Sequence, residues 1–314
     1  MARIVTVTPN PALDMATSVD RVVPGDKLRC RAPRLDPGGG GANVARAIRL
    51  MGGEALAWIA LGGGTGIDYR KLLEREGIEA AVFEAPGDTR RTLGVTDEET
   101  GEQFRFLVPG ADWSEAEADA ALEDVCGRLS DGDYAVFSGS LPPGMPGDWP
   151  RRFVQMARER GARAVVDTSG VGLDAASEEG AGAHVLRMDR AEAGGLIGVE
   201  APSAEEAETL ARDLVARGAA EIAAVTLAGD GAIAVSAEEG WRSRPPKREV
   251  VSATGAGDSF VAALVMGLAA TAGLGEALRR ATAAAAFAVT TPATALVTRE
   301  GVEETLAETE VSRL

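Results

Sequence analysis

A single histidine, His184, serves a chain of 314 residues, which excludes zinc sites built from several imidazoles and leaves a Ser/His/Asp triad only one position to use. Acid–base chemistry is therefore expected mainly from carboxylates, lysine or tyrosine. Cysteine is almost as scarce. Cys30 and Cys126 alone cannot make a disulfide framework, so free thiols in a reducing compartment are expected. No apolar run reaches the roughly 18 residues of a membrane span, and the opening MARIVTVTPN reads as a strand, not a signal peptide. The expected location is cytoplasmic. Basic residues are the minority charge: 32 Lys plus Arg against 48 Asp plus Glu leave a net charge of -16, which repels nucleic acid and anionic membranes and favours solubility. Lysine itself occurs only at positions 27, 71 and 247.

What is abundant points to a layered fold. With 45% hydrophobic residues the chain can bury the core of one large α/β domain or two smaller ones. From residue 110 onward, apolar runs alternate with helical segments. YAVFSG (134–139), ARAVVDT (162–168), HVLRMD (184–189) and EIAAVTLA (221–228) read as strands of a mainly parallel sheet covered on both faces. The Ala-rich ALRRATAAAAFAV (277–289) is a helix suited to close packing. The first third differs. After the strand RIVTVT, segments 16–35 and 91–108 have short-strand character, the second with a DEETGEQ turn, and between them NVARAIRLMGG and GIDYRKLLEREG read as helices ending at glycine. Two β excursions that meet as a small accessory sheet would make a lid, a dimer contact, or both. There is no internal repeat and no low-complexity linker.

Three stretches carry candidate chemistry. In SATGAGDSF (252–260) a helix beginning near Ala256 would leave the N–H groups of Gly255, Ala256 and Gly257 unpaired, with the helix dipole adding positive charge. That is an anion cradle, and Asp258 in its first turn is placed to take a proton from a hydroxyl beside a phosphoryl group. The alternative is a plain cap made by Thr254 and Asp258. In PGGGGANVARAIRLMGG (37–53) the spacing fits neither a P-loop nor a dinucleotide fingerprint. Its glycines would expose backbone to a ligand, with Asn43 able to donate to and accept from sugar hydroxyls. In GDKLRCRAPR (25–34), Lys27, Arg29 and Arg31 share one face if the segment is extended. Folded against Arg90, Arg91 and Arg105 of the other excursion, they would make a pocket for a substrate phosphate.

The order TPNPALD (8–14), KLRCRAPRLDPGGGGANVARAI (27–48), GEQFRFLVPG (101–110), SGSLPPG (138–144) and GAGDS (255–259) resembles the ribokinase-like sugar kinases, and within them the phosphofructokinase B branch. The resemblance runs nearly end to end. It implies one three-layer αβα kinase domain over 1–314 with a mainly parallel sheet, and a β lid from about 14–36 and 88–109 that also joins a homodimer. It implies ATP and Mg²⁺, and a sugar phosphate as acceptor, most simply fructose 6-phosphate converted to fructose 1,6-bisphosphate, with fructose 1-phosphate or tagatose 6-phosphate as rival acceptors. A binding protein that has lost transfer is the rival of another class. By the same resemblance Asp258 is the base and Gly255, Ala256 and Gly257 hold the phosphoryl group. Asp14, Gly39, Gly40, Asn43 and Ser140 match sugar-binding positions, Lys27 and Arg90 the phosphate clamp, with Arg105 beside it, and Arg29 is expected to reach the neighbouring subunit's site. Arg187, Thr226, Ala228, Gly229 and Gly231 match the nucleotide side.

Two departures stand out. Where the family shows Lys-Pro-Asn-x-x-Glu, this chain has RMDRAE, Arg187 to Glu192. Asp189 and Glu192, three apart at a helix start, share a face and are expected to hold Mg²⁺ through water, whereas Arg187 replaces a point charge by a fork. In TLAGDG (226–231) Ala228 takes the place of glycine, and it is strained if that position requires positive φ.

Overall fold

The computed structural model describes residues 2–292 and 295–314. In chain order the first half comprises β1 (Ile4–Thr8), β2 (Ala12–Val19), β3 (Arg34–Gly38), α1 (Gly40–Leu50), β4 (Leu56–Leu61), α2 (Gly63–Arg75), β5 (Glu79–Glu84), β6 (Arg90–Asp97), β7 (Gln103–Leu107), α3 (Glu115–Gly127) and β8 (Tyr134–Ser138). The second half continues with α4 (Trp149–Glu159), β9 (Arg163–Asp167), α5 (Val171–Ala176), β10 (Ala183–Asp189), α6 (Arg190–Ile197), α7 (Ala204–Ala216), β11 (Ala220–Thr226), β12 (Ala232–Val235), β13 (Gly240–Arg244), α8 (Ala256–Ala269), α9 (Leu274–Ala288), α10 (Arg299–Glu308) and β14 (Glu310–Arg313).

The large sheet runs β14-β13-β12-β11-β10-β9-β8-β1-β4-β5. From β11 to β5 every pair is parallel, while β12, β13 and β14 add an antiparallel edge. Central strands such as IVTVT and YAVFS are buried at every position, because helices cover both faces and no side chain reaches water. One face packs Phe137, Trp149, Phe153, Leu122 and Leu214 from α3, α4, α7 and the sheet. The other packs Val44, Ile48, Phe260, Leu264 and Leu278 from α1, α8 and α9. Strand alternation is visible within β4, where Trp58 joins the first layer and Ile59 joins Leu73 and Tyr69 of α2 on the other side. The three-layer αβα expectation is therefore met, and all four strands expected after residue 110 form. The antiparallel edge was not expected, although GAIAVSAEEGWRSR has the alternation and turn of a hairpin.

Chain order reverses between β1 and β8, since β4 and β5 build out one way and β9, β10 and β11 the other. Such a reversal opens a crevice beyond the carboxyl ends of the strands. Both α1 and α8 start there, and the ends of β1, β8, β9, β10 and β11 face it. Beside the crevice, the second sheet runs β3-β2-β6-β7, with β2 and β6 parallel from Ala12↔Arg90 to Val19↔Asp97. The two β excursions thus meet in one small sheet. Among the described residues no helix is long and apolar enough to cross a membrane, and both cysteines are free, Cys30 exposed and Cys126 buried.

Candidate active site

At the start of α8 no side chain among the described residues caps the helix. The N-cap is Gly255 itself, at φ 80°, a conformation that calls for glycine, and a Cβ there would lie 2.5 Å from the tip of Leu296, which would have to move. Thr254 engages the neighbouring Ser252 through its backbone N–H. The plain-cap alternative is thereby removed; among the described residues the Gly255 and Gly257 amides have no acceptor, whereas the Ala256 N–H, expected to be unpaired, donates to the Ala253 carbonyl at a long 3.4 Å. Asp258 in the first turn accepts a hydrogen bond from Asn43 Nδ2 at 2.9 Å. Burial pushes its carboxyl up to about 7, with the Asp167 charge adding to the shift and the Asn43 donor and the Arg187 cation opposing it. A carboxyl so poised is half ionised near neutral pH and suits general base work.

The glycine run at the start of α1 is set by close approach. A Cβ on Gly38 would lie 2.0 Å from Asp14 Oδ2, one on Gly40 2.4 Å from Ser138 Oγ, and one on Gly41 2.6 Å from both Thr8 Oγ1 and the Val7 carbonyl. Gly39 sits at φ 115° against Thr8 and Pro11. These glycines therefore bring the start of α1 down onto the ends of β1 and β8, which places Asn43 against Asp258. Asp14, on β2, accepts from Thr92 Oγ1 at 2.5 Å. Its carboxyl is raised by burial, against the pull of the Thr92 hydrogen bond and the Arg90 and Arg105 cations. Arg90 in turn donates to the Asn10 carbonyl at 3.3 Å, and Asn10 Nδ2 donates to Ser140 Oγ at 3.2 Å. Asp14, Asn43, Arg90, Arg105, Ser140 and Asp258 are thus gathered around one crevice.

The other cationic residues are not gathered in this way. Residues 27–33 form no strand, so the expected alternating face of Lys27, Arg29 and Arg31 does not exist. Pro24-Gly25 opens the segment with a turn and Pro33 closes it, and neither favours a ladder. Arg31 is drawn onto Asp20 and Glu98. Lys27 and Arg29 are exposed, and among the described residues neither has a hydrogen-bond or ion-pair partner.

Across the crevice, Arg187 at the end of β10 is buried. It divides its fork between Asp167 Oδ1 and Thr226 Oγ1, each at 2.8 Å, and a Cβ on Gly257 would lie 3.1 Å from its Nη2. Arg187 therefore lies directly beneath the turn that begins α8. Asp167 also accepts from Ser138 Oγ at 2.8 Å. Asp189 and Glu192 make a reciprocal capping box on α6, at 2.9 Å from the Glu192 N–H and 2.7 Å from the Asp189 N–H. Burial, aided by the Asp189 and Asp167 charges, pushes Glu192 up to about 7 although the Asp189 N–H opposes it. Among the described residues no cluster of three or more ligating side chains could hold a metal ion directly. Ala228 takes φ 51° in a tight 3-10 turn over Ala228–Asp230, the strained geometry that its sequence position foreshadowed. Gly231 is required by contact, since a Cβ would lie 1.8 Å from the Ser243 carbonyl, while Gly229 faces open space.

Asp167, Asn10 and Arg46 belong to this assembly and were missed in the sequence reading. Asp167 had a signal, as the polar end of an apolar strand at the carboxyl edge of a parallel sheet. An open cavity of about 690 Å³, lined by Arg158, His184, Glu221 and Leu274 among others, lies at the opposite edge of the sheet and shares none of these groups.

Comparison with known proteins agrees with the geometry. The profile of the pfkB family carbohydrate kinases matches residues 10–300. The ATP-dependent 6-phosphofructokinase isozyme 2 of Mycobacterium tuberculosis is 38% identical over 301 residues, 96% of this chain and 88% of that protein. The 1-phosphofructokinase of Bacillus subtilis is 32% identical over 313 residues, 99% of this chain and 100% of that protein. Among solved structures, phosphofructokinase-2 from Escherichia coli in complex with fructose-6-phosphate superposes with a TM-score of 0.90 at 36% identity, covering 98% of this chain and 99% of the other.

Proposed function

The chain belongs to the pfkB family of carbohydrate kinases, and on that premise we propose that it transfers the terminal phosphoryl group of ATP to the 1-hydroxyl of fructose 6-phosphate. The observation that carries the reading is Asp258, a carboxyl poised near neutrality beside uncapped helix amides and fixed by Asn43. In this reading Asp258 takes the proton of the acceptor hydroxyl, and the N–H groups of Gly255, Ala256 and Gly257 hold the phosphoryl oxygens as charge moves onto them. Asp14, Asn43 and Ser140, with the half-buried backbone at Gly39 and Gly40, orient the sugar. Arg90 and Arg105 hold its phosphate, with Lys27 joining them if its segment folds inward over the bound sugar.

Arg187, Thr226 and the turn from Ala228 to Gly231 form the nucleotide side. The residues present fit a water-mediated Mg²⁺ ion. The capping box engages Oδ1 of Asp189 and Oε2 of Glu192, leaving the second oxygen of each without a hydrogen-bond partner among the described residues. Glu192, held near 7, is a carboxyl that a divalent cation would keep charged. Such an ion would neutralise phosphate charge as it develops.

The small sheet is read as a lid and as a homodimer contact. Its register places Leu35, Met15, Leu93 and Phe106 in one row, with Leu35 38% and Phe106 55% exposed. An apolar row at the outer face of a sheet calls for a covering partner, and Arg29 on the adjoining segment would then approach the partner's site.

Turnover of Mg-ATP with a panel of sugar phosphates tests the proposal. Fructose 6-phosphate is expected to give the highest kcat/KM. Preference for fructose 1-phosphate or tagatose 6-phosphate overturns the acceptor, and binding without turnover of any sugar phosphate marks a non-catalytic regulator.

A further inference from the structure

Behind Asp258 lies a link that the proposed mechanism does not use. Asn43, whose Nδ2 reaches Asp258, accepts at its own Oδ1 from Arg46 Nη1 at 3.2 Å, one turn further along α1. Arg46 is 5% exposed and is gripped from two other elements. Its Nε and Nη2 meet the Glu76 carboxylate at 2.5 and 2.9 Å, at the end of α2, and Nη2 stands 3.9 Å from Asp36 Oδ1 on β3. A guanidinium has five donors and no acceptor. Fixed beside an amide, it admits only the amide oxygen, so the NH₂ end of Asn43 is turned to Asp258. An amide turned the other way would press its oxygen against the carboxylate, an arrangement that only the protonated acid tolerates.

We propose that Arg46 is a positioning residue for the phosphoryl transfer: by holding Asn43 in one orientation it keeps Asp258 a hydrogen-bond acceptor, ready for the proton of the acceptor hydroxyl. This inference rests on the kinase reading given above. The remaining groups that face Asp258 are Asp167 of β9 and Asp14 of β2, which favour the protonated acid, and Arg187 of β10, which opposes them on the same side as the Asn43 donor. Without Arg46 the balance shifts to the carboxylates, and Asp258 binds its proton more tightly.

The test is the pH dependence of kcat/KM, from mildly acid to mildly alkaline, for the intact chain and for Arg46→Met, Arg46→Lys, Asn43→Leu and the Arg46→Met/Asn43→Leu pair. The acid limb of Arg46→Met is expected to move up by about one pH unit, the equivalent of one charge-assisted hydrogen bond. Arg46→Lys retains a donor and should stay near the unmodified limb. Asn43→Leu should move the limb as far as Arg46→Met, and the pair no further, because both remove the same interaction. An acid limb of Arg46→Met at the unmodified position overturns the proposal, as do additive shifts in the pair. If Arg46→Met does not fold, Asn43→Leu takes its place, a raised limb supporting control by the amide and an unmoved limb overturning it. An unmodified chain that phosphorylates no sugar phosphate sinks the kinase reading itself, whereas an active chain with an unmoved limb sinks only the role of Arg46.

Discussion

Asp258 combines three environments that no single neighbour supplies: burial, a like charge at Asp167 and one neutral donor at Asn43. Replacing it by asparagine keeps the volume and removes the proposed base. Asp258→Asn is therefore expected to lower kcat by about 10²–10⁴-fold while sugar-phosphate affinity, measured by calorimetry, stays within a small factor. A large loss of affinity with turnover retained contradicts the assignment. Ala228 offers a second test at this scale. Its φ of 51° places a Cβ in the left-handed region at a cost of about 1–2 kcal/mol, partly offset by the greater unfolded-state entropy of glycine. Ala228→Gly should stabilise the protein by about 0.5–1 kcal/mol in denaturant titration. A loss of stability would mean that the turn is not strained.

At the scale of elements, α1 and α8 are placed by what their first residues lack. Gly41 has no room for a methyl group between Thr8 Oγ1 and the Val7 carbonyl, each 2.6 Å from its ideal Cβ, and a β-strand backbone cannot yield as a side chain can. Gly41→Ala is expected to destabilise by about 1–3 kcal/mol and to lower kcat as well, since α1 must lift and take Asn43 with it. Unchanged kcat in a destabilised variant would uncouple the helix start from the chemistry. The elements themselves were legible to different depths. Four buried strands, the α8 cradle and the accessory β segments could be read from apolar runs, glycines and turns, because those signals are local. The Lys27–Arg31 face could not. Alternation assumes a strand, and whether a strand forms depended on a pairing partner that only the folded sheet reveals. Asn43 was legible as a polar group at a helix start, but its partner Asp258 was not, because a hydrogen bond across the crevice leaves no spacing in the sequence. Asp189 and Glu192 show the converse: three-residue spacing at a helix start fits a capping box as well as an ion site, and the structure shows the box.

For the molecule as a whole, charge and burial combine in the pH dependence of stability. Asp258 and Glu192 are both pushed up to about 7, chiefly by burial, from 3.8 and 4.5. Between those limits the native state binds protons that the unfolded chain releases, so the stabilisation is present at mildly acid pH and is lost as pH rises through about 7. The net charge of -16 adds self-repulsion in the same direction. Asp97, held low by backbone N–H groups, and Asp124, held low by Arg128, act oppositely only at more acid pH. Tm is expected to rise as the buffer moves from mildly alkaline to mildly acid, with a smaller rise in Asp258→Asn. A flat profile would show that neither carboxyl is perturbed. One further consequence follows from where the crevice draws its residues. Asn43 and Asp258 stand 215 positions apart, so during translation the amide leaves the ribosome early and the carboxylate late. A nascent chain that ends before α8 carries Asn43 but not its partner, so the proposed proton acceptor can join the crevice only once synthesis has passed residue 258.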